Sequence, residues 1–328
     1  MERIIEERPD SVLNVLQAID TDELVGDEEP AKHALLLSMA LDKNYIDKTD
    51  FEVLQPAIDY YKDNGSATDK LRTYYYQGRI YQNAGNDALA MECFVNAIYN
   101  GKESNDILTK ARTYFAQSHI YYSLYEWDNF IEANKNSALL FKESGMINSY
   151  ANCLNRIING YTLKEEPDSA WPYIYECKTL LQDMSISRLT EFYASYLTYL
   201  TNFGTEQEMN EILQEYISAV PSSMIDRLTI ANAYLKMNNY NEALSVLSEY
   251  DTSSDVAKER KYLSIISDIY QGLEDHKRAL ESYKKYIILA DSIDSAIYTQ
   301  DTRFVEERHK LELQTLKEKE SKMRVILW

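Results

Sequence analysis

The 328-residue sequence has few of the residues that interrupt helices: nine Gly and six Pro. So low a count over this length disfavours a turn-rich all-β chain and favours helices. Cysteine is scarce too. Cys93, Cys153 and Cys177 are odd in number and far apart, which argues against a disulfide framework or a cysteine zinc site and leaves them as small buried hydrophobes. No run of eighteen apolar residues occurs, so no bilayer-spanning helix is expected within the sequence. The opening MERIIEERPD is charged and lacks the apolar stretch of a secretion signal. Basic residues are outnumbered, 34 against 53 acidic, for a net charge of −19. That balance repels phosphate backbones, so no direct nucleic-acid binding by this part is expected. Motifs of catalysis are missing as well. His33, His119, His276 and His309 share no pattern, and there is no phosphate-binding Gly loop, HExxH, CxxC or GxSxG. No enzyme activity, metal or cofactor is expected.

The sequence is rich in tyrosine, with 28 residues, and these fall into a repeat. In LRTYYYQGRIYQNAGNDALAMECFVNAIYNG, from Leu71, Gly78 and Tyr81 share one helix face. Ala90, Phe94 and Ala97 share the facing side of a second helix, with NAGND as the turn between them. The pattern recurs with Tyr121, Tyr161, Tyr234 and Tyr270 in units beginning near residues 111, 151, 224 and 260. A degenerate unit fills the gap before residue 224, and the stretches around EPAKHALLLSMALDKNY and TDFEVLQPAIDYYKDNG read as an earlier helix pair. Tyrosine at a fixed repeat place is expected to pack, not to react. RPDS at Arg8 and EPDS at Glu166 each read as a helix start with an N-cap oxygen, the first opening a capping helix over 10–19.

These residues resemble the tetratricopeptide (TPR) repeat, a helix–turn–helix unit with small residues, Tyr, Ala and an aromatic at set places. Spacings of 36 to 40 residues exceed the usual length of about 34. The expected fold is all-α: a TPR-like superhelical solenoid of about seven helix-turn-helix units with a long C-terminal helix. Residues 1–29 would form a capping helix and loop, 30–290 the solenoid, and 291–328 the long helix. Stacked repeats leave outward positions of their first helices free to bind a peptide or protein. Projecting the pattern places Arg72, Tyr75, Arg79, Arg112, Phe115, His119, Tyr122, Asn152, Asn155 and Asn159 on that face, with Leu228, Asn232, Lys236, Lys261, Ser264 and Asp268 from the later units. Arginines pair with carboxylates and asparagines can hold an extended backbone, which points to an acidic or C-terminal peptide. Equally, the arginines could serve only to neutralise nearby Asp and Glu. One TPR subtype grips C-terminal peptides with two Lys, two Asn and an Arg. The matching places here are Tyr75, Arg79, Ala116, Asn152 and Arg156. Only Arg156 fits, so a clamp of that kind is not expected.

The tail differs in charge from the body. Residues 301–324 hold seven basic and six acidic side chains, so the remainder carries −20. The tail closes on Met323, Val325, Ile326, Leu327 and Trp328. With RPDSVLNVLQAID, DKNYID at Asp42 and the repeats, this ending resembles the sensor region of bacterial membrane-anchored TPR transcriptional regulators. The resemblance implies that the long helix leads into a transmembrane helix, followed by a coiled coil and a cytoplasmic DNA-binding domain; two copies could dimerise through the long C-terminal helix. The repeats would then lie on the periplasmic face of the inner membrane and sense a peptide, glycan or protein. The alternative is a soluble cytoplasmic TPR adaptor that assembles partner proteins, its tail serving as a cap.

Overall fold

A computed structural model describes residues 2–248, 250, 255–293 and 295. The expected long C-terminal helix falls almost wholly outside the described residues. Those described are helical, with no strand among them. The chain opens with α1 (Glu2–Glu7), α2 (Pro9–Gln17) and a short 3-10 turn (Thr21–Glu23). Helix pairs follow: α3 (Glu28–Lys43) with α4 (Gln55–Asn64), α5 (Ala67–Asn83) with α6 (Asp87–Asn100), then α7 (Ile107–Ser123) and α8 (Trp127–Glu143). Next come α9 (Ile147–Leu163) with α10 (Pro167–Thr179), α11 (Ile186–Phe203) with α12 (Glu206–Ala219), and α13 (Arg227–Lys236) with α14 (Tyr240–Leu247). Helix α15 (Val256–Gly272) precedes a final described helix over 276–293. Two compact units divide the chain between Ile120 and Tyr121.

The repeat's tyrosine also marks where each first helix stops. Asn86 N–H donates to the Tyr81 carbonyl at 2.9 Å, Glu126 to Tyr121 at 3.0 Å and Glu166 to Tyr161 at 2.9 Å. Asn239 donates to Tyr234 and Asp275 to Tyr270, each at 2.9 Å. Each is the six-to-one bond of a Schellman cap, which needs a left-handed residue just before the donor. Gly85 fills that place in one turn at φ 74°. Tyr125, Glu165, Asn238 and Glu274 fill it in the others at φ 57–61°, where a side chain is strained.

Packing in the first unit turns on Gly78. A Cβ there would lie 2.5 Å from the Phe94 ring, so only glycine lets α5 close onto α6. Phe94, Ala90, Ala97 and Leu71 are fully buried around that contact. In the second unit Gly160 plays the same part against Phe130 and Ile131, which cluster with Ile157. A further cluster joins Leu228, Ala231, Ala243, Leu247, Ile265, Ile266 and Ile269 from α13, α14 and α15. The three cysteines are buried; burial pushes the Cys93 thiol up to about 12 and Cys153 up to about 11, which makes them inert packing groups.

The two Pro-Asp-Ser starts differ from expectation. Proline is the first residue of α2 and of α10, and the N-caps are Arg8 and Glu166, neither of which gives a side-chain cap bond. Asp10 and Asp168 instead lie in the first turns, where a carboxylate meets the positive end of the helix dipole.

Candidate functional site

In the first unit the expected groove arginines face internal carboxylates. Arg72 Nε donates to Asp106 Oδ2 at 2.6 Å. Burial pushes Asp106 up, but Arg72 and Thr109 outweigh it and hold the carboxyl below its usual range. Arg79 Nε reaches Asp42 Oδ1 at 3.3 Å and its Nη1 donates to Gln82 at 2.6 Å. Arg112 forks onto both oxygens of Glu6 at 2.8 and 2.7 Å. Tyr75 is buried edge-on against Tyr76, with ring centroids 4.9 Å apart. Offered by the sequence as ligand contacts, Tyr75 is a core residue and the arginines are tied to Asp106, Asp42 and Glu6. The reason is the acidity of the chain: Arg72 and Arg79 meet Asp106 and Asp42 about one repeat away, and Arg112 meets Glu6 of α1. Phe115 is half-buried and meets the exposed His119 ring edge-on at 4.9 Å.

The second unit holds an open groove of about 680 Å³, within the size range of roughly 300–1,000 Å³ typical of ligand sites. Successive first helices form its walls, because α9 lies beside α11, α11 beside α13 and α13 beside α15. Helix α9 contributes Arg156, Asn159 and Thr162; α11 contributes Ser195, Thr198 and Asn202; α13 and α15 add Thr229 and Lys261.

Most of these polar groups are held from behind. Arg156 lies over the Phe130 ring, 4.9 Å from its centroid, and its Nε donates to Asn134 Oδ1 at 3.1 Å. Asn134, fully buried, is fixed in turn by its donation to the Phe130 carbonyl at 2.7 Å. Burial lowers the Arg156 pKa to about 10, still charged at neutral pH. Across the groove Lys261 Nζ donates to Thr229 Oγ1 at 3.2 Å, and that hydroxyl donates to Asp226 Oδ2 at 2.7 Å. Asp226 also caps α13 through the backbone N–H groups of Leu228 and Thr229. Thr162, Thr198 and Asn202 each donate to a carbonyl of their own helix at 2.8 Å, which directs the lone pairs of their oxygens to accept further hydrogen bonds. The groove therefore combines two cations, the carboxylates of Glu165 and Asp226, side-chain acceptors and an aromatic floor.

Of the expected site residues in this unit, Tyr122 and Asn159 line the groove. Asn152 is half-buried and does not line it. Asn155 is 2% exposed and its Oδ1 accepts from the Cys177 thiol at 3.6 Å, so it is an interior residue. The helical pattern places Asn155 one step toward the neighbouring helix and Arg156 toward the groove. Ser195, Thr198 and Asn202 were missed because α11 lies in the degenerate unit, where no small-residue signature sets the register. Their spacing of three and four is the signal that marks one helix face.

No protein-family model matches the chain, and no curated protein matches it. A solved structure does: a Rap protein complexed with Competence and Sporulation Factor. It aligns at TM-score 0.54 and 11% identity, covering 88% of this chain and 94% of that one. The fold is a TPR-like helical repeat. At this identity the likeness concerns the backbone arrangement alone. Among the described residues no helix is long and apolar enough to cross a membrane, and no group of His, Cys, Asp or Glu is arranged to hold a metal ion.

Proposed function

We propose that this protein is a peptide- or protein-binding TPR-like module whose ligand lies in the groove of the second unit. The observation that carries the reading is the convergence of Arg156, Asn159, Asn202 and Lys261 from successive first helices onto one cavity. Amides and hydroxyls suit an extended backbone, which offers an N–H and a carbonyl at each residue. The two cations suit an acidic side chain or a terminal carboxylate. That the similar Rap structure was solved with a bound factor agrees with a role in binding. The role proposed is recognition, with no chemical step.

The biological setting we assign is the sensor part of a membrane-anchored bacterial regulator, on the periplasmic face. The resemblance of RPDSVLNVLQAID, DKNYID and the repeats to that sensor region supports it. A random peptide library displayed on phage tests the groove. Peptides selected on the intact chain should lose at least tenfold in affinity on the Arg156→Glu and Lys261→Glu chains; unchanged affinity would overturn the reading. The setting is tested by the natural reading frame. A span of about 20 apolar residues beyond Trp328, then a basic DNA-binding domain, is expected; an immediate stop codon overturns the anchored role.

A further inference from the structure

The first unit has its own counterpart to the groove, and a segment of the chain occupies it. In a repeat stack each unit touches only its neighbours, and the ion pairs follow that rule. Arg72–Asp106, Arg79–Asp42, Lys142–Glu176 and Lys164–Asp128 join residues 34 to 37 apart, about one repeat. Glu6 and Arg112 are 106 residues apart. Helix α1 thus crosses the stack and does not continue it. Its Glu6 receives the Arg112 fork from α7 and, at 2.9 Å, the Lys43 ammonium from the end of α3. Ile5 beside it is fully buried. Tyr75 and Tyr76 of α5 are close enough that the charges of Glu6 and Arg112 act on both hydroxyls. Helix α1 therefore packs on α3 and bridges by Glu6 from the end of α3 to α7.

Two features mark α1 as an occupant of this face. The first is charge. Lys43 and Arg112 are brought together, and burial followed by the Arg112 charge lowers the Lys43 pKa. Two cations so placed require an anion between them. The second is the attachment. Helix α1 joins α2 through Arg8, which has non-helical dihedrals of φ −141° and ψ 63°, and through Pro9 as the first residue of α2. The two helices are separate segments there, and the buried Val12, Leu13 and Leu16 belong to α2.

We infer that the face formed by α3, α5 and α7 is a second binding site, for an acidic helical segment that presents an aliphatic residue beside a glutamate, and that α1 occupies it as an internal pseudo-ligand. This surface is distinct from the groove of the second unit, and the inference stands or falls without it.

The test uses the full-length chain and a fluorescent peptide of residues 1–8, MERIIEER. In the Glu6→Arg chain, α1 is repelled by Lys43 and Arg112 and vacates the face. The peptide should bind this chain at least tenfold more tightly than wild type, where the face is taken. Binding should fall at least tenfold in the double variant Glu6→Arg/Arg112→Glu, where the swapped pair draws α1 back. The milder Glu6→Gln chain should fall between wild type and Glu6→Arg. Equal binding to wild type and Glu6→Arg, or no binding to Glu6→Arg up to about 10 mM peptide, near the weak limit of measurable affinity, overturns the inference. So does loss of helical circular dichroism in both Glu6→Arg and Glu6→Gln, which would make α1 part of the core.

Discussion

The two units are built from the same helix pair, yet they spend their cations differently. In the first, Arg72, Arg79 and Arg112 are each tied to a carboxylate of the same unit. In the second, Lys142 and Lys164 are likewise tied to Glu176 and Asp128, while Arg156 and Lys261 line an open groove, with the Asn134 amide and the Thr229 hydroxyl among their contacts. The lesson is that a cation on the face of a first helix does not by itself mark a ligand site. What decides is the group it meets: Asp106, Asp42 and Glu6 in the first unit, Thr229 for Lys261 in the second.

That contrast can be broken at several points. The largest effect is expected where the units should behave alike. Gly78→Leu and Gly160→Leu drive a side chain into Phe94 and into Ile131 respectively, and each should cost about 3 kcal/mol in urea unfolding. A small loss at one alone would mean that its helices are not packed as described. Next, Arg112→Glu should cost about 2 kcal/mol, because it sets two carboxylates face to face. Lys261→Glu, on an exposed side chain, should stay within about 0.5 kcal/mol and act on binding instead. Equal stability losses would erase the distinction between a structural and a ligand-facing cation.

Acid tests the Glu6 contact directly. Burial pushes Glu6 up, but the hydrogen bonds and charges of Arg112 and Lys43 outweigh it and bring its pKa from 4.5 down to about 2. A depressed carboxylate stabilises the fold above its unfolded value and loses that contribution as pH falls. Stability from this contact is therefore complete above about pH 4.5 and declines toward pH 2. Unfolding midpoints of wild type and Glu6→Gln should converge across that window; parallel curves would show that the fork is not formed.

The smallest effect concerns the turns. Gly85 ends α5 in the left-handed region, and Glu274 ends α15 there. Gly85→Glu should cost about 1 kcal/mol and Glu274→Gly should gain up to about 1 kcal/mol by relieving strain, as read from thermal midpoints. A loss with Glu274→Gly would point to a contact of the Glu274 side chain that outweighs the strain.

Much of the fold was legible in residue spacing. Gly78 opposite Phe94, and five tyrosines near the ends of first helices, follow from the period of 3.6 and from the need for a small residue where two helices touch. The turn at NAGND was readable because glycine tolerates positive φ; those at Tyr125 and Glu165 carried no such mark. The helix starts at Pro9 and Pro167 were readable, but not that Arg8 and Glu166 would be their caps. The site was legible in part. Tyr122, Asn159 and Lys261 line the groove of the second unit, whereas Leu228 is a core residue and Asn155 turned inward with Arg156 outward, a difference of one residue or about 100° around the helix.

By itself the sequence determined the repeat, because local periodicity dictates which face of each helix is apolar and small residues dictate where helices approach. It determined the excess of acid over base that would find partners for most cations. Only the tertiary structure decided which cations those were. Partner choice depends on residues about one repeat apart, and for Glu6 and Arg112 on residues 106 apart. Such distances are fixed by the rotation between packed helices, a quantity set by side-chain interdigitation along the stack and not written in any one segment.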